Sequence, residues 1–182
     1  MQTQELFAHP AHPPMMVKEV TARLDARDAD WVRLRWRIEA ASGIRVPPFT
    51  GRKRLDGLWQ TTCFELFVVP ECEQSRSYTE FNFSPSEAWA AYDFSSYREG
   101  RTNRPLLRKP VITWRGGSRL ALMDVALSRD ALPRYACRIG LTAVIEEGGG
   151  QKSFWAARHS ADAPDFHDPA CFASTLAAPE DV

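Results

Sequence analysis

The chain has no surplus of either charge: 23 Lys and Arg stand against 23 Asp and Glu over 182 residues, a formal net charge of zero. Nucleic-acid binders usually carry a strong basic excess, so such a partner is not expected. No apolar run approaches the roughly 18 residues of a membrane span, and no membrane partner is expected either. Cysteine is sparse. Cys63, Cys72, Cys137 and Cys171 form no C-x-x-C pair and have no histidine at zinc-finger spacing. A chain of this length needs no disulfide framework, and Cys63 and Cys137 lie in apolar runs where buried, reduced thiols are expected. The nucleophile elbow, the phosphate loop, the dinucleotide fingerprint and the H-E-x-x-H zinc motif are all missing. Gly148, Gly149 and Gly150 follow two glutamates and precede an apolar run, which reads as a hairpin turn and not a phosphate cradle. Residues 1–14 contain neither Lys nor Arg nor a continuous apolar stretch, so they do not read as a signal peptide, and the cytoplasm is the expected location. There is no internal repeat and no long amphipathic helical pattern. Only a single turn over 128–132 reads as helical.

What is present is a composition of 44% hydrophobic and 25% charged residues, typical of a globular protein. At this size roughly 70% of the unfolded chain's surface is buried on folding, enough for one core. Residues 1–16 include His9-Pro10-Ala11-His12-Pro13-Pro14 and read as a flexible lead, leaving 17–178 as a single domain. The dominant period is two. Over 31–39, Val32, Leu34, Trp36 and Ile38 alternate with Arg33, Arg35, Arg37 and Glu39, a half-buried strand with a cationic outer face. Further strands are expected at 18–24, 63–69, 78–84, 88–94, 110–114, 119–127, 137–146, 153–157 and 172–176. Many short strands separated by Gly, Pro, Ser and Asp predict an all-β, two-sheet antiparallel sandwich. Two long connections, 41–62 and 95–109, are basic although the chain is neutral. They read either as solvated surface or as an anion-tolerant rim around a site.

The candidate chemistry lies in two places. If 63–69 and 78–84 form a hairpin with Val69 opposite Tyr78, then Glu65 pairs with Asn82 and Phe67 with Glu80. Alternation then sets Glu65, Glu80 and Asn82 on one face and Phe64, Leu66, Val68, Phe81 and Phe83 on the other, with Trp89 and Asp93 expected to extend the polar face. An acid, amide and indole surface suits a sugar, since carboxylates and amides bond vicinal hydroxyls and a flat indole stacks on the ring's C–H face. The same face also reads as an ordinary solvated cross-strand pair. Farther along, His159 and His167, with Asp165 or Asp168, offer nitrogen and oxygen ligands to a metal, or simply make a turn with Asp caps.

The strings Leu58-Trp59-Gln60-Thr61-Thr62-Cys63-Phe64-Glu65-Leu66-Phe67, Tyr78-Thr79-Glu80-Phe81-Asn82-Phe83-Ser84-Pro85, Trp89-Ala90-Ala91-Tyr92 and Tyr97-Arg98-Glu99-Gly100 resemble the bacterial DOMON-like proteins, relatives of the family-9 carbohydrate-binding modules. The tail from Phe154-Trp155 through His159 to Phe166-His167 resembles the same group. The resemblance implies a β-sandwich that binds sugar or haem. From it Trp59, Glu65, Glu80, Asn82, Trp89, Arg98 and Trp155 are candidate ligand-binding residues, with Trp59 and Trp155 as opposing walls. It also implies that calcium or haem is possible, although no clear acidic cluster is seen, and only His159, His167 and Met123 offer axial ligands. The leading expectation is therefore a non-catalytic saccharide-binding domain that requires no cofactor. The alternatives are a haem or metal carrier using His159, His167 and Asp165, and a glycoside-active enzyme using Glu65 and Glu80.

Overall fold

The alternation over Trp31–Glu39 is realised as written: Val32, Leu34, Trp36 and Ile38 are buried, and Arg33 and Arg35 face solvent. The structure, a computed structural model, describes residues 2–26, 28–71, 76–160 and 162–178. Its strands are β1 (Gln2–Ala8), β2 (Glu19–Asp25), β3 (Trp31–Glu39), β4 (Cys63–Pro70), β5 (Tyr78–Phe83) and β6 (Trp89–Phe94). They continue with β7 (Thr102–Asn103), β8 (Val111–Arg115), β9 (Leu120–Ser128), β10 (Cys137–Glu146), β11 (Lys152–Ala156) and β12 (Ser174–Leu176). The helical turn expected near 128–132 is a 3-10 turn at Arg129–Ala131. The glycine triplet joins β10 to β11, and Gly149 there has φ 77°, a conformation that favours glycine.

The expected pair of separate sheets is instead one strongly curled antiparallel half-barrel, in the order β7-β6-β5-β4-β10-β11-β1-β2-β3-β9-β8, with β12 beside β10. Strand β1 makes it continuous. Its Gln2–Leu6 portion pairs with β2, and Phe7 and Ala8 then pair with β11. The residues expected to be a flexible lead therefore begin as a strand. Prolines cannot donate to a ladder, but the first of them, Pro10, comes after β1 has ended. The stretch that follows is tied down by the buried carboxylate of Glu147, which accepts the backbone N–H groups of Met15 (2.7 Å), Met16 (2.7 Å) and Val17 (3.1 Å).

Curling brings β3 and β8 over β4 and β5. Trp36 meets Phe64 at 5.4 Å and Phe83 at 6.5 Å between ring centroids, and Phe64 meets Trp114 at 6.0 Å. The inner faces share one core of Leu34, Trp36, Ile38, Leu66, Val68 and Phe81 with their neighbours. Strand β4 is also covered on its outer face, where Phe67, Val69, Tyr78, Phe94 and Phe172 form a second apolar cluster. Double coverage explains why β4 reads as nearly continuous apolar sequence.

The basic connections are largely neutralised at close range. Arg45 lies 3.7 Å from Glu146, Arg52 3.6 Å from Glu87, Arg54 2.9 Å from Asp56 and Arg104 2.9 Å from Asp93. Cys63, Cys137 and Cys171 are buried free thiols, and Cys72 falls outside the described residues.

Candidate functional site

The β4–β5 register agrees with the alternation in the sequence: Glu65 lies opposite Asn82 and Phe67 opposite Glu80. Glu65 and Glu80 thus share the outer face of the sheet, and together they floor a cleft of about 390 Å³. Aromatic walls come from Phe67 of β4, Tyr92 and Phe94 of β6 and Phe154 of β11, while Trp59 and the segment 164–167 close the sides. Trp59 sits on the 3-10 turn Leu58–Gln60 and is 51% exposed, leaving an indole available at the rim. Arg98 and Arg101 enter from the connection between β6 and β7.

Each floor acid is held by a donor. Thr142 Oγ1, across from Glu65 on β10, donates to Glu65 Oε2 at 3.0 Å, and Asn82 Nδ2 donates to Glu80 Oε1 at 2.6 Å. Asn82 is buried beneath Glu80 and positions that carboxyl, without lining the cleft itself. Burial and then repulsion from Glu80 raise the Glu65 carboxyl to about 8, against the Thr142 hydrogen bond. Burial likewise raises Glu80, opposed by the Asn82 bond and by the charges of Arg101 and Arg98. Near neutral pH the floor retains at least one proton, so it offers a donor as well as acceptors.

A hydrogen-bonded chain fixes the far wall. Arg98 has φ 57°, an uncommon backbone for a residue with a side chain, and its N–H donates to Tyr78 Oη at 3.1 Å. The Tyr78 hydroxyl is hydrogen-bonded to His167 Nδ1 at 2.7 Å, and the other ring nitrogen, Nε2, faces Glu80 Oε2 at 3.9 Å. Burial and the nearby Arg98 charge pull the His167 imidazole down to about 4, so it is neutral. Asp165 accepts from Arg98 Nη2 at 2.7 Å, from the backbone N–H of His167 at 3.1 Å and from the Tyr97 hydroxyl. Burial pushes the Asp165 carboxyl up, but these bonds outweigh it and hold the group below its ordinary range.

Of the expected site residues, Trp59, Glu65, Glu80 and Arg98 converge on the cleft. Two tryptophans do not. Phe83 pairs with Trp89, so Trp89 and Asp93 lie on the face opposite Glu80, and Trp89 is buried in the inner core at 6% exposure. Trp155 also points into that core, 4% exposed, its Nε1 donating to Ser153 Oγ at 2.8 Å, and its neighbour Phe154 forms the wall instead. Tyr92, Phe94, Arg101 and His167 belong to the cleft and were not expected there. Tyr92 and Phe94 were detectable in principle, because they keep step with Glu80 once the β5–β6 register is known. Arg101 carries only the general signal of the basic connection 95–109, one of whose readings is an anion-tolerant rim.

The metal and haem alternatives do not fit these residues. His167 has one nitrogen on Tyr78 and the other toward Glu80, and Asp165 is taken by Arg98, Tyr97 and the His167 backbone. His159 has Nε2 at 2.9 Å from the Phe7 carbonyl and packs edge-on to His9. Met123 is sealed in the inner core. Among the described residues no three His, Cys, Asp or Glu side chains converge as a metal site.

No family model and no curated protein matches this sequence. Solved structures do. A Bacteroides uniformis protein provisionally termed carbohydrate-binding superposes with a TM-score of 0.68 at 16% identity, over 98% of this chain and 86% of that one. A family-9 carbohydrate-binding module from Caldicellulosiruptor kristjanssonii, solved in complex with glucose, superposes with a TM-score of 0.52 at 7% identity, over 93% and 81% respectively. The chain therefore has an all-β antiparallel fold like that of a family-9 carbohydrate-binding module.

Proposed function

We propose that this chain is a non-catalytic saccharide-binding domain, with the sugar seated over Glu65 and Glu80 and stacked on Trp59. The supporting observation is the combination in one cleft of a proton-bearing carboxyl pair, aromatic walls and a half-exposed indole. A protonated Glu65 donates to one hydroxyl while Glu80 accepts from the next, the pairing that vicinal diols present. The likeness to a module solved with glucose agrees with this ligand class. Calorimetric titration with glucose and short glucans tests it. Trp59→Ala is expected to weaken binding about fivefold, or about 1 kcal/mol, without unfolding a protein in which that side chain is half in solvent. Equal affinity in the variant, or no affinity in the parent for any sugar, would refute the assignment.

The elevated Glu65 carboxyl beside a second acid also favours one alternative, acid-assisted glycoside cleavage. Release of nitrophenol from aryl glycosides, abolished by both Glu65→Gln and Glu80→Gln, would establish that activity in place of simple binding.

A further inference from the structure

Resting on the saccharide reading, we infer that the preferred ligand is an acidic sugar, whose carboxylate or phosphate is received at the cleft rim by Arg101 together with Arg98. The basic connections supply the argument by contrast. Arg45, Arg52, Arg54 and Arg104 each have a carboxylate within 4 Å and spend their charge within the protein. Arg101 lines the cleft and has no ion pair or side-chain hydrogen bond among the described residues. Its guanidinium lies over the Tyr92 ring, 5.1 Å from the centroid, a cation–π contact that leaves its N–H groups without a protein acceptor among the described residues.

Arg98 is held more firmly. Its backbone is bonded to Tyr78, one guanidinium nitrogen is fixed on Asp165, and the residue adopts a backbone conformation that L side chains seldom take. Strain of this kind persists where the surroundings fix it, and here they fix an arginine at the mouth of a cleft. Asp165 pairs with Arg98 at 2.7 Å, so the uncompensated positive charge at the rim is that of Arg101, with the Arg98 fork held beside it. A carboxylate or phosphate, each able to accept two parallel N–H bonds, suits such paired forks better than any neutral hydroxyl does.

The acidic floor does not oppose this arrangement. Glu65 and Glu80 lie deep and buried, each anchored by its own donor, and burial keeps them partly protonated. The cleft is thus polarised along its depth, with hydroxyl-reading groups at the bottom and cations at the top. A sugar entering with its neutral ring edge downward would leave an acidic substituent beside Arg101.

Calorimetry on the whole chain with glucose, glucuronate and glucose 6-phosphate tests the inference. At least one acidic sugar should bind tenfold or more tightly than glucose, and whether glucuronate or glucose 6-phosphate is tighter identifies carboxylate or phosphate as the natural group. Arg101→Gln should bring that ratio close to one, and raising sodium chloride from 0.05 to 0.5 M should shrink it in the parent protein. If glucose binds and neither acidic sugar binds more tightly, the inference fails and the saccharide reading stands. If the acidic preference survives Arg101→Gln undiminished, the inference also fails. If none of the three binds, both fall together.

Discussion

The buried carboxyl of Glu65 and the buried imidazole of His167 make opposite contributions to stability as pH changes, and together they predict an unusual profile. Glu65 titrates at about 8 in the folded protein against 4.5 when unfolded. The folded state therefore holds the proton more tightly, and stability falls as pH rises between those values. His167 titrates at about 4 in the folded protein against 6.5 when unfolded. Here the unfolded state binds the proton first, so stability falls as pH drops from 6.5 toward 4. Between pH 6.5 and 4.5 each effect amounts to about 2 kcal/mol with opposite sign, so they nearly cancel. Between pH 6.5 and 8 Glu65 leads, with the raised Glu80 carboxyl acting in the same sense, and about 1–2 kcal/mol should be lost. Urea unfolding followed by tryptophan fluorescence at pH 5, 6.5 and 8 reads this directly as a plateau followed by a decline. Glu65→Gln keeps an oxygen for the Thr142 hydroxyl to donate to and removes the charge, so its decline should be much shallower, with stability above that of the parent at pH 8. Its acid limb, no longer offset, should fall more steeply. A parent protein whose stability is level or rises from pH 6.5 to 8 would show that Glu65 is not enclosed as described.

Two further substitutions probe the scaffold. Phe64→Ala, at a fully buried ring meeting both Trp36 and Trp114, is expected to cost about 3–5 kcal/mol in urea unfolding, and a loss below 1 kcal/mol would mean that the curled halves do not pack on each other there. Glu147→Gln places an amide N–H₂ against at least one of three backbone donors, so a loss of about 1–3 kcal/mol is expected. Amide exchange at Met15, Met16 and Val17 should quicken with it, and unchanged exchange would contradict the tether.

Much of this architecture was legible because alternation is an unambiguous signal where one face is wet. The β3 pattern follows from it, whereas the Glu65–Asn82 register follows from closing the hairpin with Val69 opposite Tyr78, since β4 is covered on both faces. Where both faces are covered the signal disappears. Phe154 and Trp155 are both apolar, and nothing in their chemistry says which faces the core and which the cleft. Trp89 was misplaced for a related reason. Its face depends on the register set by the connection at residues 84–88, and a shift of one residue reverses every side chain in the strand. Strand β1 was obscured by the prolines that follow it. The cleft residues Arg101 and His167 are separated in sequence by strands β7 to β11, so only the folded chain unites them.

The double pairing of β1 also bears on how the molecule assembles. Its partner Trp155 on β11 lies almost the full chain length away from Ala8. Ring closure of that span carries a heavy entropic toll, and topologies rich in such distant pairings reach the native state slowly. Until β11 has been synthesised, one margin of the nascent sheet stays unzipped, a sticky border that other chains can find before the proper mate arrives.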